Sequence, residues 1–234
     1  MVNQYLLEDE WRTFRRWEDV DDINDARDTR QRNQRHSRRT GSIPYRWTMR
    51  KDIIEIRWHG RGGQGAITAA KIVANAAFVS GYKGVVMAPT FGTERRGAPV
   101  FTSLKISREK IYDLSPITTP DMVVVLDHTL LDEVNVGAGL KEQGLVVLNA
   151  PRPVGEYKFA GMKVAVSDVT RHAVEAGLPP GIVNSGIIGA FSKASGLVDI
   201  DILVKAIEKE FSGKKPEKNA RAARIAYDNT EIEG

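Results

Sequence analysis

The 234-residue chain contains no cysteine. That excludes a disulfide framework, a thiolate zinc site and a Cys-ligated iron–sulfur cluster on this polypeptide. It also has no apolar run near the roughly 18 residues that a membrane-crossing helix needs. The opening stretch, MVNQYLLEDEWRTFRRWEDVDD, places acids where the apolar core of a secretion signal would stand. A cytoplasmic protein with no membrane partner is therefore expected.

Charge is plentiful but almost balanced, with a net of +4. It is unevenly spread: residues 1–26 carry 3 Arg against 8 Asp/Glu, a local charge of −5, while residues 27–51 carry 9 Arg/Lys against 1 Asp, or +8. Such asymmetry can mark a nucleic-acid arm. The segment RDTRQRNQRHSRRTG has no apolar face at any period, so it cannot bury enough surface by itself to offset its ordering entropy. Yet Trp11, Phe14, Trp17, Tyr45 and Trp47 are set among the charges, in the manner of anchors for a partner's surface. Three readings of residues 1–51 stand side by side: a disordered tail, an extension docking on partner subunits, and a nucleic-acid arm. Its mixed charge and the strength of the folded-domain pattern that follows argue against nucleic acid.

From residue 52 the pattern becomes regular. IIEIRW, GVVMAP, APVFTSLKI, DMVVVLD, GLVVLNA and MKVAVS read as strands, GVVMAP being short and buried. Helices are expected over 65–80, around 128–142, and over 167–176, 182–195 and 199–211. In the first, Ile67, Ala70, Val73, Ala74 and Ala77 share a face. This alternation predicts an α/β fold: a Rossmann-like, mostly parallel sheet with helices on both faces, spanning 52–212. Residues 213–234 read as a polar tail with one helical stretch.

The most informative stretch is RWHGRGGQG, between the first strand and the first helix. Gly60, Gly62 and Gly65 have the spacing G-x-G-x-x-G. Glycines there allow a tight turn and close approach, and the helix start beyond offers unpaired N–H groups and partial positive charge. A phosphate or pyrophosphate is the expected ligand, against the plainer possibility that the glycines only let strand and helix pack closely. A nicotinamide or flavin site also needs an acid about 20 residues on to hold the ribose. GVVMAPTFG contains none, and Pro89 stands near that place.

Two further stretches bear on the ligand. In FGTERRGAP, Glu94, Arg95 and Arg96 lie between two glycines, after the second strand, where ligands of open α/β sheets bind. The arginines fit a phosphate clamp or a plain surface or inter-subunit ion pair. In GIVNSGIIGAF, Asn184 and Ser185 open an apolar helix, and spacing alone favours Asn184 as a cap. No catalytic set emerges: His59 lacks an evident partner, and Asp127 before His128 reads as a helix cap. Neither a Walker lysine nor a metal-ligand pattern is present.

Taken in order, IEIRWHGRGGQGAITAAKIVANAAF, FGTERRGAPVFTSLKIS, PDMVVVLDHTLLD, GLVVLNAP and NSGIIGAFSKASGLV resemble the gamma subunit of the 2-oxoacid:ferredoxin oxidoreductases, the pyruvate synthase group. The resemblance implies a subunit of a complex that decarboxylates a 2-oxoacid to acyl-CoA and passes electrons to ferredoxin. It implies thiamine diphosphate, Mg2+ and iron–sulfur clusters on partner alpha, beta and delta subunits, and coenzyme A held partly on this chain. Carried onto this sequence, the coenzyme contacts are Gly62, Gly63, Gln64, Gly65 and Ala66, with Arg95 and Asn184. A free-standing NAD- or FAD-binding oxidoreductase domain is the alternative.

Overall fold

Strand β1 (Ile54–Arg61) runs through the middle of a seven-stranded sheet whose order is β2-β3-β1-β4-β5-β6-β7. The others are β2 (Gly84–Pro89), β3 (Pro99–Ser107), β4 (Met122–Val125), β5 (Leu145–Asn149), β6 (Lys163–Ser167) and β7 (Glu231–Glu233). The structure is a computed structural model that describes residues 53–89 and 96–234. The extension at 1–51, with Glu94 and Arg95, lies outside the described residues. Strands β1, β4, β5 and β6 pair in parallel, whereas β3 pairs antiparallel with both β1 and β2, and β7 antiparallel with β6. Five strands therefore point one way and only β3 and β7 oppose them, which makes the sheet mostly parallel, as the sequence predicts.

The period-two alternation of the strands separates two cores. On one face Ile56, Trp58, Met122, Val124, Leu145, Val147 and Ala165 meet helices α1 (Ala66–Val79), α3 (Asn184–Ser195) and α4 (Ile200–Glu210). Trp58 is fully buried there, its ring centroid 5.3 Å from that of Phe191. On the other face Val123, Val125, Val146, Leu148, Val164 and Val166 meet Leu130, Val136 and Leu140, with Tyr157 and Phe159 packed alongside.

Among the described residues that second face carries no α-helix, whereas helices are expected on both. It is closed by connecting loops and two short 3-10 turns, His128–Asp132 and Val154–Glu156. The helix expected over 128–142 is only the first of these turns. Gly137 and Gly139, the latter at φ +72°, keep the chain irregular beyond it. A side chain on Gly139 would also strike the carbonyl oxygen of Thr118.

Strand β2 is an edge, not a buried strand. Among the described residues it pairs only with β3, so Val85, Val86 and Met87 are half-buried. The C-terminal segment, read as a tail from 213, instead completes the fold. Helix α5 (Pro216–Asp228) packs on α3 and α4, and also on α2 (Val169–Glu175), burying Ala220, Ala222, Ala223 and Ala226. Small side chains make this approach possible: a Cβ on Gly189 would overlap the carbonyl oxygen of Ala223.

Candidate functional site at the glycine loop

Strand β1 ends in the loop Gly62–Gly65, and α1 begins at Ala66 with no side-chain cap and no acid in its first turn. Gly63 and Gly65 adopt left-handed φ of +94° and +80°, which explains why glycine stands at both. The first i→i−4 bond of the helix runs from Ala69 N to the carbonyl of Gly65 at 2.9 Å, so the N–H groups of Ala66, Ile67 and Thr68 precede it. A helix of 14 residues opening this way favours an anion at its N-terminus.

The sheet brings the second motif to the first. Beyond the Arg61–Pro99 pair of β1 and β3, Gly62 N donates to Ala98 O at 2.9 Å and Gly97 N to Gly62 O at 3.1 Å. The end of the ERRG segment is thereby zipped to the glycine loop. Arg96 is exposed, and its Cγ lies 3.9 Å from where a Gly63 side chain would start.

Asn184 arrives from α3. It is 8% exposed, and a Cβ on Gly65 would stand 2.8 Å from its Nδ2. The structure departs from the capping role that spacing favours. Asn184 is the first helical residue, Val183 occupies the cap position, and among the described residues Asn184 Oδ1 accepts from the adjacent Ser185 N alone, at 3.0 Å. The amide nitrogen faces the glycine loop.

Two side chains of the loop are turned inward. Gln64 Oε1 accepts from Arg61 N at 2.8 Å, and Gln64 Nε2 donates to Asp127 Oδ2 at 2.8 Å. Arg61 donates to Asp127, Thr129, Glu133 and the carbonyl of Gly97. The Arg61 guanidinium is thus committed within the protein. Burial pushes the Asp127 carboxyl up, but hydrogen bonds from Thr129 and Gln64 and the charge of Arg61 outweigh it and hold it below the usual range. Asp127 does cap the turn at His128–Asp132, accepting from Thr129 N at 3.0 Å. Its second oxygen, on the loop, is a connection that local spacing could not reveal.

Below the loop, on the same strand, His59 is nearly buried and accepts through Nε2 from Arg57 Nε at 2.9 Å. Desolvation, then the neighbouring Arg57 charge, lowers its pKa to about 4. Arg57 is itself spent on the carbonyls of Val136 and Ala138. His59 is therefore held in the neutral form as an acceptor for Arg57.

Two cavities adjoin the network. One of about 530 Å3 is lined by Glu133, Val136, Tyr157 and Phe159 among others. The other, of about 420 Å3, lies at the carboxyl ends of β4 to β6 between His128, Asn149, Thr170 and Arg171. Among the described residues no three His, Asp or Glu gather as a metal site, and no helix is long and apolar enough to cross a membrane.

The family model for pyruvate ferredoxin/flavodoxin oxidoreductase matches residues 55–229. The chain belongs to this family. The match runs well past 212, in keeping with the packed α5. The common gamma subunit of the pyruvate/ketoisovalerate oxidoreductases of Pyrococcus furiosus is 50% identical over 185 residues, covering 77% of this chain and 98% of its own. Pyruvate synthase subunit PorC of Methanothermobacter marburgensis is 48% identical over 183 residues, 78% of this chain and 100% of that one. The crystal structure of pyruvate oxidoreductase subunit PORC of Thermotoga maritima superposes with a TM-score of 0.68 at 33% identity, over 79% of this chain and 100% of that chain. A 2-oxoglutarate:ferredoxin oxidoreductase of Magnetococcus marinus, solved with coenzyme A and succinyl-CoA bound, shares the fold at TM-score 0.58 and 22% identity, over 76% of this chain and 30% of its own.

These relatives give no support to a free-standing dinucleotide oxidoreductase, and the topology offers a reason. The place beside β1 where the ribose-reading strand of a dinucleotide fold would run is taken by antiparallel β3, and β2 is displaced to the edge.

Proposed function

We propose that this chain is the gamma subunit of a 2-oxoacid:ferredoxin oxidoreductase and that its glycine loop holds the diphosphate of coenzyme A. The observation that carries the reading is the uncapped start of α1, flanked by left-handed Gly63 and Gly65 and faced by the Asn184 amide. Ala66 and its neighbours supply backbone donors, Asn184 Nδ2 supplies a side-chain donor, and Arg96 supplies charge from the exposed side. Gly62 and Gln64 shape the turn instead of reaching outward, because their polar groups are already paired within the loop.

The chemistry belongs to companion chains. A cluster held by cysteine thiolates needs another polypeptide, since this one has no cysteine. Thiamine diphosphate and Mg2+ are assigned to the alpha and beta subunits, clusters to beta and delta, and ferredoxin takes the electrons from the assembly. The part of this chain is to bind and orient the acyl acceptor. Cytoplasmic location follows from that assignment.

The test is coenzyme A titration of the purified assembly with amide exchange as readout. Slowed exchange at residues 62–66 and at Asn184 supports the reading. Saturable coenzyme binding without protection there overturns it.

A further inference from the structure

Asp127 is the meeting point of two elements that the sequence keeps 66 residues apart. Its Oδ1 accepts from Thr129 N at 3.0 Å and Thr129 Oγ1 at 2.7 Å, and its Oδ2 from Gln64 Nε2 at 2.8 Å and Arg61 Nε at 3.2 Å. Four donors exhaust the lone pairs of a carboxylate. That leaves Asp127 no acceptor capacity for a substrate proton or a metal ion, which removes the roles usually given to an acid near a ligand loop. The two groups it grips on β1 are the ones that define the turn: Gln64, whose Oε1 closes back on Arg61 N, and Arg61, which also ties Gly97 O of the neighbouring segment.

The location adds to this. The loop leaves β1, Asp127 follows β4, and these strands are parallel neighbours, with Leu126 N donating to His59 O at 2.8 Å. From this gap the chain proceeds in one direction through β5 and β6 and in the other to β3 and β2. Ligands of open α/β sheets enter at such a divergence.

We propose that Asp127 is a positioning residue for the coenzyme: by clasping Gln64 and Arg61 across the gap between β1 and β4, it sets the turn that presents the first-turn amides of α1. This rests on the coenzyme A reading above. Asp127 touches no ligand atom; it acts through the loop.

Replacing one carboxylate oxygen by an amide separates the clasp from the cap. In Asp127→Asn, Oδ1 can still receive Thr129 N, but the new Nδ2 faces two donors, Gln64 Nε2 and Arg61 Nε. Adding Gln64→Glu inverts the pair, so that the amide introduced at position 127 donates to the carboxylate introduced at position 64. The assembled complex, without coenzyme, is followed by amide exchange at residues 62–66, and KM for coenzyme A is then measured. For Asp127→Asn, exchange should accelerate and KM rise by about ten- to a hundredfold, the effect of losing a hydrogen bond to a charged group, with KM changing more than kcat. In the double variant, protection should return even where the relocated charge keeps coenzyme affinity low. Wild-type protection in the single variant, or no recovery in the double, overturns the proposal. Should Asp127→Asn misfold, Gln64→Glu alone breaks the same clasp: it keeps Oε1 as acceptor for Arg61 N, cannot donate to Asp127, and leaves the Thr129 cap untouched. It must loosen the loop likewise, and a loop as protected as the wild type overturns the idea. Exchange without coenzyme decides the role of Asp127 even if the wild type binds coenzyme A elsewhere, so the two failures are distinguishable.

Discussion

Asn184 presses against the bare α-carbon of Gly65: a methyl built there would lie 2.8 Å from Asn184 Nδ2 and 3.2 Å from Asn184 Cβ. One residue supplies a left-handed turn, the other a donor, and each leaves room for the other. Gly65→Ala should therefore harm both the fold and the ligand site. A left-handed L-residue costs about 1–2 kcal/mol, and displacing Asn184 adds to this. Thermal unfolding of the complex should show that loss, and calorimetric titration a weaker coenzyme A affinity.

Asn184→Ala should separate the two effects. Among the described residues its side chain bonds only the adjacent Ser185 N, so stability should fall little while the coenzyme dissociation constant rises about tenfold, near 1.4 kcal/mol. An unchanged constant would remove Asn184 from the site.

Arg96→Ala should act more weakly and through charge. An exposed ion contact contributes about 0.2–1 kcal/mol, so affinity should drop by a factor of about five at most. The difference should vanish at high ionic strength, where such contacts are screened. A salt-independent difference would count against a direct phosphate contact.

Buried His59 makes the fold sensitive to mild acid. Its pKa is lowered to about 4, by desolvation and then by Arg57. The unfolded imidazole takes up a proton near pH 6.5, so the unfolded state binds more protons between the two values. The stability contribution is intact above that upper value and is lost as pH falls from there through about 4, a loss of roughly 3 kcal/mol at most. Urea unfolding at about pH 7 and about pH 5 should show it. His59→Gln, which keeps an acceptor for Arg57 but does not titrate, should flatten the dependence.

Gly189→Ala should destabilise strongly, because the new methyl meets backbone, overlapping the carbonyl oxygen of Ala223 and standing 2.7 Å from its carbon. Overpacking of this kind costs about 1–3 kcal/mol, and α3 and α5 would have to separate. Truncation after residue 212 should remove the folded state altogether. Circular dichroism melts of both variants check this.

Those last residues show where sequence reading loses its grip. Helix α5 is buried through Ala220, Ala222, Ala223 and Ala226, side chains too small to register as an apolar stripe among its charges. Its burial depends on Gly189 of α3, and no local pattern conveys that. The glycine loop is readable because it is local: strand, turn and helix follow one another, and Gly63 and Gly65 have the conformations that glycine permits. Asp127 is half readable. Its cap on Thr129 lies two residues along, whereas its hold on Gln64 exists only once β1 and β4 align. The 128–142 segment misleads because Leu130, Leu131 and Val134 mimic a helical face, while the turn already ends at Asp132 and Gly139, at φ +72°, keeps the chain irregular beyond it.

Strand β1 is hydrogen-bonded along both edges, antiparallel to β3 and parallel to β4. Sliding it by a single residue would invert Trp58 and His59, sending an indole among charges and a polar imidazole into hydrocarbon. The glycine loop is thus mounted on an anchored beam. If the loop holds the coenzyme as proposed, the ligand would meet amides already aimed, with little of its binding energy diverted into ordering the receptor.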